Sequence, residues 1–417
     1  MQKLQFHKYF KVFYSSAIWL LFIGMMWSRA ILSIGVVAFP ALSLLFMQKG
    51  DFHRYFNSRI IRGTWLLFLL ASISLLWTSD VASGLDALMN KTMFFLLPLF
   101  FFLMPMENAK WRIITLWGIA IIHTIPMLES IWLFFQDINK WMEVYNEMGT
   151  LSIASYDDHI RFTLSLILLN FLLAKEYIYD KTAIVNKNSK KVFIVFSLFS
   201  FLFLHFIASK SGIILLYISL FTCIVTSLKS WKKKIIFSGI LFSIIVGMFY
   251  ISPTFRKKAD MLKYQWDTYQ DTNYLNYNNS EEGRIISYKL AWYNIQENLL
   301  LGTGIGAEKN KMQEKYILYF PEIPENNHLI PHNQYLFSVL SMGIIFGTLF
   351  LLLFFGIFID SKSKRFNMRN LIVFVIFVSF FPEANLESQF GIFICTFYLL
   401  WVKNNNVPKN QENTKII

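Results

Sequence analysis

One histidine, two basic residues and two carboxylates stand where long apolar runs give way to polar sequence, and a third basic residue heads a helix within the largest polar segment. His332 lies between Pro331 and Asn333, just ahead of an apolar run. An imidazole with a pKa near 6.5 can accept a proton at neutral pH, so His332 is a candidate base; its structural alternative is to cap the helix that follows. Asn333 either orients that ring or caps the same helix, and His328, four residues earlier, is the alternative base. Arg161 and Lys210 fall just inside apolar runs. A charge held in lipid costs ~2.5–3.5 kcal/mol on insertion scales, so it is usually kept for a purpose. Lys210 could otherwise snorkel to the interface, and Arg161 could pair with Asp157 or Asp158. Arg284 opens a predicted helix in the largest polar segment, with Glu281 and Glu282 as structural partners. Glu383 and Glu387 sit in the short break before the last apolar run, as counter-charges for Lys210 or Arg284 or as groups that bind an acceptor. His123 and His205 lie within apolar runs and read as structural hydrogen-bonding groups. Cys223 and Cys395 read as small core hydrophobes, and no metal-ligand spacing occurs.

The elements that must position these residues are membrane helices. The 417 residues are 55% hydrophobic and 16% charged, with a mean hydropathy of +0.45, against roughly 25% charged in soluble domains. That excludes an ordinary soluble enzyme and a disordered chain. Twelve runs approach the ~20 apolar residues a spanning helix needs: near 12–27, 30–47, 60–77, 88–106, 111–135, 158–179, 192–208, 211–228, 234–251, 333–359, 370–382 and 386–402. The first lacks a small-residue cleavage site and is read as a span rather than a removed signal. Apolar residues run all round these segments, which predicts helices in lipid, not barrel strands. With the N-terminus placed in the cytoplasm, most of the 39 Lys and Arg fall on inside segments and the short outside loops are nearly free of them. Both termini are then expected to be cytoplasmic. The net charge of +13 is a topology signal and implies no nucleic acid partner. The expected division is 1–251 (nine spans), 252–331 (an outer helical loop), 332–403 (three spans) and 404–417 (a disordered cytoplasmic tail).

A loop as long as 252–330 is usually functional. It reads as an amphipathic stretch at 255–270, a turn-rich stretch at 271–282, a helix from about Arg284 to Asn298 and a short helix at 308–319. Ser280, Glu281 and Glu282 supply a cap and first-turn acids for the second of these. Ile285, Tyr288, Trp292 and Ile295 form its apolar stripe. Gly302, Gly304 and Gly306 lack the preceding strand a dinucleotide site requires, and instead let backbone approach another surface closely.

The order GRIISYKLAWYNIQENLLLGTGIGAEKN, a spacer, then HNQYLFSVLSMGIIFGTLFLLLF, with ASKSG at 208–212 upstream, resembles the O-antigen ligase/polymerase superfamily. Those relatives carry a Gly-Arg helix, a P-L-x-G-x-G-x-G turn, a His-Asn pair opening a span and an upstream Ser-Arg-Gly element. Here Lys210 stands where Arg is usual, which keeps the charge and loses bidentate geometry, and Asn298–Leu299 replaces Pro–Leu.

The resemblance implies an all-α integral membrane protein of about 12 helices, GT-C-like, with one large periplasmic helical loop, in the bacterial inner membrane. It implies a metal-independent inverting glycosyltransferase without cofactor. The donor would be an undecaprenyl-diphosphate-linked glycan and the acceptor lipid A core, as in a ligase. The alternatives are another glycan, as in a polymerase, or a protein hydroxyl, as in O-oligosaccharyltransferases. In such a reaction Arg284, Lys210 and Arg161 would bind the departing diphosphate, at roughly 1.5–3 kcal/mol per charge-assisted bond. His332 would be the base, with Asn333, Glu383, Glu387, Gly302, Gly304 and Gly306 in support. The rival reading is a lipid-linked oligosaccharide transporter. A transporter would be expected to gather polar groups at the midplane and to show internal symmetry, whereas here they gather at the outer rim.

Overall fold

In a computed structural model of the chain, the described residues are 2–47, 50–106, 108–146, 151–153, 158–179, 187–207, 209–251, 280–361 and 367–404, with isolated positions between 252 and 279. They are all-helical, with no strand among them. Eight helices are long and apolar enough to cross a membrane, and three shorter apolar helices, Arg29–Ser43, Met368–Ser379 and the C-terminal Gln389–Asn404, accompany them. The chain is an integral membrane protein. Each of the twelve apolar runs coincides with helix, including 158–179, where His159–Ala174 continues through a π turn, Lys175–Tyr179. Polar caps start several of these helices at the intended places: Asn108, Asp158, Asn333 and Asn367 each accept from a backbone N–H three residues on. The 255–270 stretch, the 271–279 turn and the 405–417 tail lie wholly or mostly outside the described residues.

The centre of the bundle is the C-terminal helix Gln389–Asn404, whose residues Ile392 to Val402 are almost wholly buried. Its 16 residues reach ~24 Å, short of a ~30 Å hydrocarbon core. Protein rather than lipid surrounds it: Phe393, Phe397 and Trp401 pack on Phe22, Phe101 and Tyr14 of neighbouring helices.

The outer loop contributes two helices, Ser280–Glu297 and Glu308–Tyr319. The first begins four residues before Arg284, so Ser280 to Glu282 form its first turn. Its buried face is Ile286, Leu290, Ala291 and Ile295; of the apolar stripe, Ile285 and Trp292 are half exposed. Between the two helices the glycine turn seals the loop to the membrane body. The helix Gln334–Phe358, expected as one continuous span, breaks at Gly343 (φ 72°, ψ 175°). The break frees the carbonyls of Leu340 and Ser341, which accept from Thr303 N at 2.8 Å and Gly304 N at 2.9 Å; Ile344 N donates to Leu299 O at 2.9 Å. Gly302, Gly304 and Gly306 all have positive φ. A Cβ on Gly302 would meet the backbone of Gly343, on Gly304 that of Thr78 and on Gly306 that of Gly84, at 2.2–2.5 Å. The alternate glycines thus serve close backbone approach, as the sequence suggested. Trp77 Nε1 donating to Leu301 O and Asn310 Nδ2 to Asp80 Oδ2 complete the joint.

Candidate functional site

The cap that starts Gln334–Phe358 fixes the position of His332. Asn333 accepts from Leu336 N at 2.9 Å, so its side chain is a cap. Tyr288, one turn beyond Arg284 on the outer helix, donates its O–H to the His332 carbonyl at 2.8 Å. The His332 ring is 30% exposed, and its Nδ1 lies 3.2 Å from Glu383 Oε2. Burial raises the Glu383 pKa; the His332 hydrogen bond and the charges of Arg161, His332 and Arg284 outweigh it, and the net direction is down. An ionised carboxylate can only accept, so Nδ1 carries the proton and Nε2 is left as the basic nitrogen.

Arg161 completes the cluster from the first turn of His159–Ala174. Its Nη2 donates to Glu383 Oε1 at 3.1 Å and its Nη1 to Asp158 Oδ2 at 2.7 Å, while its buried Nε has no partner. Asp157 lies outside the described residues. Arg284 adds its charge near both Glu383 and Tyr288. Lys210 starts the neighbouring helix Lys210–Ser227. Gly212, two residues on, packs so closely on Thr163 that a Cβ would come within 2.4 Å of its methyl. That contact sets the first turns carrying Lys210 and Arg161 side by side.

Glu387 goes elsewhere. It accepts from Lys91 Nζ at 2.7 Å and Gln334 Nε2 at 2.8 Å. Gln334 Oε1 in turn takes Leu386 N, and Lys91 also donates to Leu386 O. Glu383 holds Arg161 and His332 and feels the charge of Arg284, whereas Glu387 holds Lys91. This buried node pins the 380–387 loop to the start of the helix beside His332. Lys91 and Gln334 were not anticipated as site residues. Lys91 carried the same signal that marked Arg161, a cation just inside an apolar run. His328 is not part of the cluster; its ring stacks on Tyr316 at 4.3 Å. His123 and His205 are helix-buried, bonded to Ser165 and Tyr217 respectively.

Against known protein families, residues 195–352 match the one described as O-Antigen ligase. That stretch of the chain is similar to the O-antigen ligase family domain. That family stands for O-antigen ligase/polymerase-type glycan transfer. No curated protein matches the chain. The matched residues include Lys210, Arg284, the glycine turn and His332. Arg161 and Glu383, which complete the His332 cluster, come from a helix and a loop on either side of the matched stretch.

Proposed function

We propose that this protein transfers a glycan from an undecaprenyl-diphosphate carrier to an acceptor hydroxyl at the periplasmic face of the bacterial inner membrane, as an O-antigen ligase with lipid A core as acceptor. Twelve passes with both termini cytoplasmic put the outer loop on that face, in keeping with the distribution of Lys and Arg. The observation that carries the reading is the convergence of a carboxylate-oriented histidine, Arg161 and Arg284 at one rim of the bundle. Nε2 of His332 takes the acceptor's hydroxyl proton as that oxygen bonds to C1 of the sugar. The C1–O bond to phosphate breaks with its electron pair leaving on the diphosphate. Arg284, with Lys210 and Arg161 beside it, neutralises the charge that develops there. The glycine joint holds Arg284, borne by the outer loop, in register with His332, borne by the membrane body.

The test is transfer by purified protein supplied with a lipid-diphosphate glycan and an acceptor. His332→Ala is expected to lower the rate by roughly 10²–10⁴-fold, and Arg284→Ala to lower it strongly as well. Full activity in both variants would overturn the site, and lipid movement across vesicles without transfer would favour a transporter. After deletion in cells, loss of all capped core marks a ligase, whereas a single repeat on the core marks a polymerase.

A further inference from the structure

The outer loop holds a second chemical feature that the transfer site does not use. A cavity of about 430 Å³ opens between Glu308–Tyr319 and the segment 325–330, a size in the range of small-ligand sites. Its walls mix hydrogen-bonding and apolar groups: Lys309, Gln313, Glu325 and Asn326 beside Met312 and Leu329. His328 also lines it, and the ring's state follows from its contacts. Nε2 lies 3.0 Å from the Ile323 carbonyl, which can only accept, so Nε2 carries the proton of the neutral ring. Nδ1 is then an acceptor, and it is buried without a hydrogen-bond partner. Stacking on Tyr316, whose hydroxyl is tied to the Leu329 backbone, holds the ring in place.

We propose that this cavity is the subsite for the hydroxyl-rich acceptor glycan, which it holds so that one hydroxyl reaches His332. The amides of Gln313 and Asn326 and the charges of Lys309 and Glu325 suit vicinal hydroxyls, and Met312 and Leu329 suit the C–H face of a ring. One cation beside one carboxylate does not make a diphosphate site, which separates this cavity from the Arg284 rim. Its wall and the proposed base share one stretch of chain: three residues separate His328 from His332, whose carbonyl Tyr288 grips. This assignment rests on the glycan-transfer reading and names where its acceptor is held.

The experiment uses the full-length protein in detergent with the core oligosaccharide freed from the host's lipopolysaccharide by mild acid. Binding is followed by saturation-transfer NMR, and transfer kinetics are run in parallel with donor and acceptor varied separately. The Gln313→Ala/Glu325→Ala double variant is expected to weaken oligosaccharide binding and raise the acceptor KM about tenfold, as loss of two modest hydrogen bonds would. Donor KM and kcat should stay as in wild type. Lys309→Ala, which removes another hydrogen-bonding group from the wall, should act in the same direction. A raised donor KM would overturn the proposal in favour of a donor-glycan site. Unchanged binding and KM in both variants would overturn it outright. If wild type transfers nothing yet binds the oligosaccharide in a Gln313- and Glu325-dependent way, the transfer reading fails and the glycan site stands.

Discussion

The helix His159–Ala174 and its π extension carry an arginine–carboxylate site at each end, and the two are built differently. At one end Arg112 meets Glu176 as a matched fork, Nη2 to Oε2 at 2.8 Å and Nε to Oε1 at 3.2 Å. Glu176 is 1% exposed and Arg112 11%. Both oxygens and two guanidinium nitrogens are consumed by the pair. At the other end Arg161 divides itself between Asp158 and Glu383, and Glu383 divides itself between Arg161 and His332, leaving Arg161 Nε without a partner and the His332 ring 30% open. A closed fork fastens helices together, whereas an open, shared network keeps capacity for a charge that arrives later. That difference, more than the presence of charge in a membrane, separates a structural site from a reactive one.

The sharpest way to break the comparison is to remove one carboxylate from each end. Glu383→Ala releases His332 from its tautomer-fixing partner, and transfer should fall by roughly 10²-fold or more, judging from catalytic triads that lose their orienting acid. Glu176→Gln leaves Arg112 buried against a neutral partner and should cost about 3–5 kcal/mol of stability, with transfer per folded molecule unchanged. Replacing both members, Arg112→Met with Glu176→Leu, should recover most of that stability, because a well-packed apolar pair avoids the desolvation cost. Thermal melting and specific activity measured on the same preparations decide the matter. If Glu176→Gln slows transfer in folded protein while Glu383→Ala leaves it alone, the two ends have been assigned the wrong way round.

The joint between outer loop and bundle makes a smaller, separable contrast. A Cβ on Gly304 would lie 2.5 Å from Thr78 Cα, at a φ of +85°. Gly304→Ala should therefore cost at least ~1–2 kcal/mol from the left-handed backbone alone, and lower transfer by shifting Arg284 away from His332. Gly356, on the same broken helix, has nothing within 4 Å of its would-be Cβ. Gly356→Ala should be neutral or slightly stabilising. Equal melting temperatures for the two variants would mean that the glycine turn is not a close-packed joint.

Much of this arrangement was legible in the chain because lipid makes charge expensive. Arg161, His332 and Glu383 stood out as polar residues at the ends of apolar runs and Arg284 as the head of a helix in the long polar segment, and the structure brings those four together. The alternate glycines were legible as a close approach, though not as the plug of a broken helix, because nothing local marks Gly343 as the residue that leaves the helical region. The apolar stripe of the outer helix read as a membrane-surface or core face, and it divides between the two: Ile295 is buried, whereas Ile285 and Trp292 stay half exposed. Glu383 and Glu387 were grouped because they are four residues apart. The turn between them is a short 3-10 segment, Asn385–Glu387, and it sends the two carboxylates to different partners. Lys91 finds Glu387 across nearly three hundred residues of sequence, a pairing that no local pattern encodes.

Two carboxylates, Glu383 and Glu308, are shifted in opposite directions and give the finest test. Glu383 is depressed: the stability its charge contributes is present above the unfolded carboxylate value and is lost as pH falls through the lower folded one. Glu308, at the start of Glu308–Tyr319 and bonded to Gly306 N, is almost wholly buried. Burial pushes it up to about 7, with Ser341 and Lys91 pulling down and Glu387 pushing up. Between the ordinary carboxylate range and about pH 7 the folded protein holds a proton on Glu308 that the unfolded chain has released. Stability should therefore decline as pH rises through that window. Glu308→Gln, which keeps the shape and removes the ionisation, should flatten the decline between pH ~5 and ~7 without altering the acid limb that Glu383 sets. Melting temperatures taken across pH for wild type and variant would reject this account if the two curves ran parallel. Because Glu308 sits on the glycine joint and Glu383 on the His332 rim, the two limbs report separately on how the outer loop is fastened and on how the site beneath it is charged.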